Sequence, residues 1–94
     1  MKHRTDARVS GLIARADTKV FGCKMLTTFV VAFQQSFVGA DGERRVIDYY
    51  SLCKVWNVVG ERIPRKGDTI SLSGRLAVNE YNQAEIQVRA YTIG

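Results

Sequence analysis

Histidine, proline and cysteine are nearly absent from this 94-residue chain, which has one His, one Pro and two Cys. The single histidine, His3, lies in the polar opening "MKHRTDARVS", and Cys23 and Cys53 do not form a C-x-x-C pair. A tetrahedral zinc site cannot be assembled from that set, so no metal is expected. Long apolar runs are missing too: the longest is Phe29 to Phe33. Neither a signal peptide nor a membrane span is expected, and the expected compartment is the cytoplasm, in association with the nucleoid. A catalytic set is also lacking. There is no histidine in a patterned segment and no glycine-rich phosphate loop, while Asp48, Glu80 and Glu85 stand among cations in strand or turn contexts. The chain reads as a non-enzyme with no cofactor.

What is present is a basic, β-rich pattern. Ninety-four residues fit one domain, and the formal charge of +5 favours a polyanionic partner. So small a domain buries a modest fraction of its surface, which favours self-association. Residues 1–7 read as a flexible tail and 8–94 as one folded domain. "RVSGLIARA" (8–16) reads as a first strand with Gly11 at a bend, and "MLTTFVVAFQQSF" (25–37) as a second, with Phe29 and Phe33 in the core. Asp41-Gly42 marks a tight hairpin tip bearing Arg44 and Arg45. In the third strand, "VIDYYSLCKVW" (46–56), Ile47, Tyr49, Ser51, Cys53 and Val55 alternate with Asp48, Tyr50, Leu52, Lys54 and Trp56. Cys53 reads as a buried small hydrophobe.

Residues 57–68, with Gly60, Pro64 and Gly67, hold at most one short helix or a pair of turns. "TISLSGRLAV" (69–78) puts Ile70, Leu72, Gly74, Leu76 and Val78 on one face. "EIQVRAYTI" (85–93) sets Ile86, Val88 and Ala90 against Gln87, Arg89 and Tyr91. Five strands with one long connection between the third and fourth match an all-β, five-stranded antiparallel Greek-key barrel of the OB fold; an SH3-like barrel is the structural alternative.

Several aromatics do not suit a core. Tyr81 stands in the polar turn between the last two strands, Tyr50 and Trp56 share a face with Lys54 and Asp48, and Phe37 ends the second strand. Stacking on a base is worth roughly 1–3 kcal/mol per ring and tolerates any sequence. Lys54, Arg44, Arg45, Arg75 and Arg89 are the cations that would neutralise phosphates. A subunit interface is the rival use for such rings.

The segments "TTFVVAFQQSF", "GERRVIDYYSLCKVW", "KGDTISLSGRLAVNEY" and "IQVRA" together resemble the DNA-binding domain of bacterial single-stranded DNA-binding proteins, over about residues 8–93. The most specific part is Gly74-Arg75-Leu76 with Tyr81 five residues after the leucine. The resemblance implies a homo-oligomer, a tetramer or else a dimer, that wraps single-stranded DNA with little sequence preference and protects it in replication, recombination and repair. It places Phe37, Tyr50, Trp56 and Tyr81 at stacking positions. A register shifted by one would substitute Tyr49 for Tyr50 and send the ring to the opposite face. The segment Ala14 to Lys24 lacks the Asp-Pro pair common in the family, and the turn after Tyr81 is compact. The sequence ends at Gly94 without the linker and acidic tip through which family members recruit enzymes. A protein of another class on the same barrel, a primosome-like replication accessory whose rings serve protein contacts, is the alternative reading.

Overall fold

β-branched and aromatic residues at alternating positions carry the chain into five strands: β1 Asp6–Phe21, β2 Lys24–Val38, β3 Arg44–Val58, β4 Thr69–Val78 and β5 Ala84–Ile93. The computed structural model describes residues 6–94, and among them there is no helix. β1 therefore starts two residues earlier than expected, with Asp6 and Ala7 paired to Arg75 and Gly74. The rest of the expected tail lies outside the described residues. β1 also runs on to Phe21, so the segment expected to connect the first two strands is itself strand, closed by a tight turn at Gly22 and Cys23.

The strands close in the order β1-β2-β3-β5-β4 and back to β1, the OB-fold ring. Four junctions are antiparallel, and β3–β5 is parallel through Cys53↔Ile86 and Lys54↔Gln87. Residues 59–68 make that order possible by carrying the chain past the barrel end, so that β4 enters beside β1. This connection is made of turns, with Pro64 buried. Tyr91 fastens it: its hydroxyl accepts from Asn57 Nδ2 at 2.9 Å and donates to the Arg62 carbonyl at 2.6 Å.

β1 serves both halves of the ring, pairing with β4 up to Leu12 and with β2 from Leu12 onward. It turns between them at Gly11 and at a bulge between Ile13 and Arg15. A Cβ on Gly11 would drive into the Ala32 carbonyl oxygen, so only glycine fits. A second bulge lies opposite Ser73/Gly74, where Arg89 is the extra residue on β5. It reverses the alternation beyond it. Tyr91, expected to share a face with Gln87 and opposite Ile86, packs against the core instead, while Ala90 is exposed.

The core is Ile13, Phe29, Val31, Cys53, Val55, Ile70, Leu72 and Ile86, each at most 5% exposed. Burial of each larger aliphatic or aromatic member is worth ~1.5–3 kcal/mol. Phe33 is not among them. The β1–β2 register ends at Leu12↔Ala32, whereas β2–β3 pairing continues to Val38↔Arg44, so the hairpin beyond Ala32 has no third strand to cover it. Phe33 is half-buried there, stacked on Tyr49 with ring centroids 5.3 Å apart. The same reason leaves Ile47 exposed, whereas Val38 and Val46 are exposed on the opposite, outer face of the hairpin. Leu76 and Val78, expected to face inward, are exposed because β4 and β5 also outrun the barrel rim.

Candidate nucleic-acid interface

Pleating sends Cys53 and Val55 into the core and Tyr50, Lys54 and Trp56 to the outer face of the β1–β2–β3 sheet. The register sets this face in rows across three strands: Trp56–Leu26–Lys19, Lys54–Thr28–Asp17, Leu52–Val30–Arg15 and Tyr50–Ala32–Leu12. Trp56 is 57% exposed and lies tilted against Phe21, with centroids 5.7 Å apart at 54°. Tyr50 is 67% exposed. Tyr49 points the other way, toward Phe33, so Tyr50 and not Tyr49 shares the face of Trp56.

Tyr81 reaches the same face from the β4–β5 turn. Asn79 Oδ1 accepts the backbone N–H groups of Tyr81 at 2.9 Å and Gln83 at 3.0 Å, and the Asn79 N–H bonds the Gln83 carbonyl at 2.9 Å. Asn82, at φ 60°, takes the left-handed step that asparagine tolerates. The tip is thus held by its own side chain while Tyr81 stays 75% exposed. Between this tip and the sheet lies a groove of ≈ 530 Å³, lined by Arg15, Lys19, Leu26, Leu52, Lys54 and Tyr81 among others. Trp56 borders a hollow of ≈ 460 Å³ with Lys24 and Val58, and Tyr50 one of ≈ 520 Å³ with Leu12 and Ala32. One sheet face therefore carries Tyr50, Lys54 and Trp56, with Tyr81 leaning over it.

The other expected site residues are not gathered there. Phe37 pairs with Arg45 in the register and shares the face of Phe33 and Tyr49, opposite that of Tyr50 and Trp56. Arg45 is bound to Asp41 by an exposed ion pair at 3.4 Å. Arg44 begins β3, six residues from Tyr50, or about 20 Å along the strand at ~3.3 Å per residue. Arg75 pairs with Asp6 and Gln87 on the outer face of β1–β4–β5, and Arg89 borders a shallow hollow there with Arg8 and Ser73.

Two cations of the groove, Arg15 and Lys19, did not emerge from the sequence. The signal was the alternation Arg15, Asp17, Lys19, Phe21, which continues β1 past the expected end. The groove is also charge-balanced rather than cationic. Asp17 and Glu80 line it, and Lys54 Nζ is 3.2 Å from Oε2 of Glu85, a side chain only 6% exposed. Lys54 is therefore not an unpaired cation as expected. Cys53 lies beneath the sheet, where burial pushes its thiol up to about 12 from 9.0, and it offers no nucleophile at neutral pH.

No protein-family model and no curated protein matches the chain. Solved structures do. A deletion mutant of the single-stranded DNA binding protein from Thermus aquaticus superposes with TM-score 0.76 at 16% identity, over 94% of this chain and 49% of that one. The chain thus spans about half the length of that protein. The second single-stranded DNA binding protein (SSBb) of Mycobacterium smegmatis is 25% identical, with TM-score 0.70 over 97% of this chain and 89% of that one. The Plasmodium falciparum SSB in its complex with ssDNA gives TM-score 0.77 at 16% identity, covering 99% and 96%. The protein priB of Ralstonia solanacearum gives 0.69 at 9% identity, covering 97% and 98%. The chain has the OB fold of these proteins.

Proposed function

We propose that this chain, an OB-fold barrel built like the single-stranded DNA-binding proteins it superposes on, binds single-stranded DNA with little sequence preference and protects it in replication, recombination and repair. The observation that carries the reading is the outer β1–β2–β3 face: Tyr50, Trp56 and Tyr81 are exposed there, and none of them belongs to the core. Bases stack on these rings, each worth roughly 1–3 kcal/mol, and any base serves because each has a π face. Arg15 and Lys19 hold phosphates beside Tyr81, and Arg44 extends the track along the hairpin. Phe37, Arg45, Arg75 and Arg89 lie on other faces, so they take part where the strand wraps round the barrel. The protein works as a homo-oligomer, a tetramer or else a dimer. Supporting this, Val38, Val46 and Val78 are more than half exposed on strands that outrun the barrel.

The test is a titration of the purified protein with labelled oligo(dT) of increasing length at about 50 mM salt, read by anisotropy. Binding that tightens up to a saturating length reports the wrapped footprint, and competition by oligo(U) reports the preference for DNA over RNA. No binding at micromolar protein would sink the reading and favour a protein-interaction module on the same barrel.

A further inference from the structure

Among the charged groups at the groove, Glu85 alone is buried. It sits on β5, 3.2 Å from Lys54 Nζ, with 6% of its side chain exposed, and Oε2 lacks any hydrogen bond of good geometry. Its ion-pair partner, the only one among the described residues, is Lys54, which lines the groove with 35% of its side chain exposed. Removing one partner of a buried pair leaves an uncompensated charge in a poorly solvated place, which is far costlier than never having had the pair. A phosphate that drew Lys54 outward would do that to Glu85. The same row of the sheet carries Asp17, which repels phosphate further, and the neighbouring rows carry Arg15 and Lys19, neither of which is ion-paired among the described residues.

We infer that Glu85 is a positioning residue that keeps Lys54 as half of a neutral pair, so that the centre of the groove receives a base and the strand's phosphates fall to Arg15 and Lys19 on either side. This rests on the reading of the groove as a single-stranded DNA interface. Because its charge is already matched, Lys54 displaces no counterion from the strand and adds nothing to the salt dependence of binding. Glu85 thereby also limits affinity: it withholds from the backbone a cation that stands within the groove.

Oligo(dT) titrations over a range of salt concentrations test this with wild type, Glu85→Gln and the double variant Glu85→Gln/Lys54→Met. Freeing Lys54 in Glu85→Gln is expected to steepen the slope of log K against log salt by about 0.7, the increment for one further phosphate on a single strand, and to tighten binding at low salt. The double variant, which removes both charges together, is expected to return to the wild-type slope. A Glu85→Gln slope no steeper than wild type overturns the inference. So does a double variant whose slope is shallower than wild type by about 0.7, since Lys54 would then already serve a phosphate. If Glu85→Gln does not fold, the double variant decides alone, as it leaves no buried charge unpartnered. Wild type that fails to bind oligo(dT) refutes the interface itself, whereas wild type that binds with slopes unmoved by Glu85→Gln refutes the role of Glu85 only.

Discussion

Replacing Tyr81 with alanine separates binding from folding more cleanly than any other change on the interface. The residue is 75% exposed, so only about a quarter of a ring surface of roughly 200 Å² is covered by protein. At ~25 cal/mol per Å², the ~50 Å² involved are worth at most about 1 kcal/mol, and less once residual burial in the unfolded chain is allowed for. The turn itself survives, because Asn79 Oδ1 bonds the backbone N–H of position 81, which alanine keeps. The melting temperature should fall by no more than about 4–8 °C. Affinity for oligo(dT) should fall by about 1–3 kcal/mol, a factor of roughly 5 to 150. Anisotropy titrations and thermal melts of the same preparations measure the two quantities. Wild-type affinity in a folded Tyr81→Ala protein would refute the stacking role, and a protein that no longer folds would show that the ring supports the barrel.

Further expectations follow from the fold. Gly74→Ala should cost about 3 kcal/mol or more in urea denaturation, because the new Cβ would drive into the Gln87 carbonyl oxygen, a backbone atom that cannot swing aside; a loss below about 1 kcal/mol would contradict the close strand approach at the second bulge. Tyr91→Phe removes the hydroxyl shared by Asn57 and Arg62 and strands the buried Asn57 amide, so it should cost about 1–3 kcal/mol without changing the affinity for oligo(dT). For the two thiols, Cys23 is exposed and Cys53 buried, so a disulfide reagent at pH 8 should modify one thiol in the folded protein and two after denaturation. The folded Cys53 thiol is raised above its unfolded value, so its contribution to stability is complete below pH 9 and is lost as pH climbs toward about 12. Cys53→Ala should remove that part of the alkaline loss.

Much of the candidate face was legible because strand alternation is strict where strands are flanked on both sides. Cys53 and Val55 against Lys54 and Trp56 is such a case, and it put the right residues outside. Alternation failed wherever a bulge intervened. The extra residue Arg89 turned Tyr91 inward, the irregularity between Ile13 and Arg15 turned Arg15 to the outer face although it lay within the expected first strand, and the continuation of β1 past residue 16 brought in Lys19. It failed again where strands outrun the barrel: Phe33, Leu76 and Val78 keep the inward phase but find no layer to pack against. The relative faces of Phe37 and Tyr50 depend on the β2–β3 register, which a turn signal at Asp41-Gly42 places only roughly. The ion pair of Lys54 with Glu85 joins strands brought together by the parallel β3–β5 closure, a long-range contact that local pattern does not encode.

The most direct measurement of the central claim uses the only tryptophan in the chain, which is also one of the three proposed stacking rings. Trp56 is partly open to solvent, with Phe21 tilted against it, and a base laid on it changes its emission directly. Addition of oligo(dT) should quench its fluorescence to saturation, with a midpoint that moves to higher DNA concentration as salt rises. Emission that stays constant while an independent label reports full binding would place the bases elsewhere on the barrel and contradict the account.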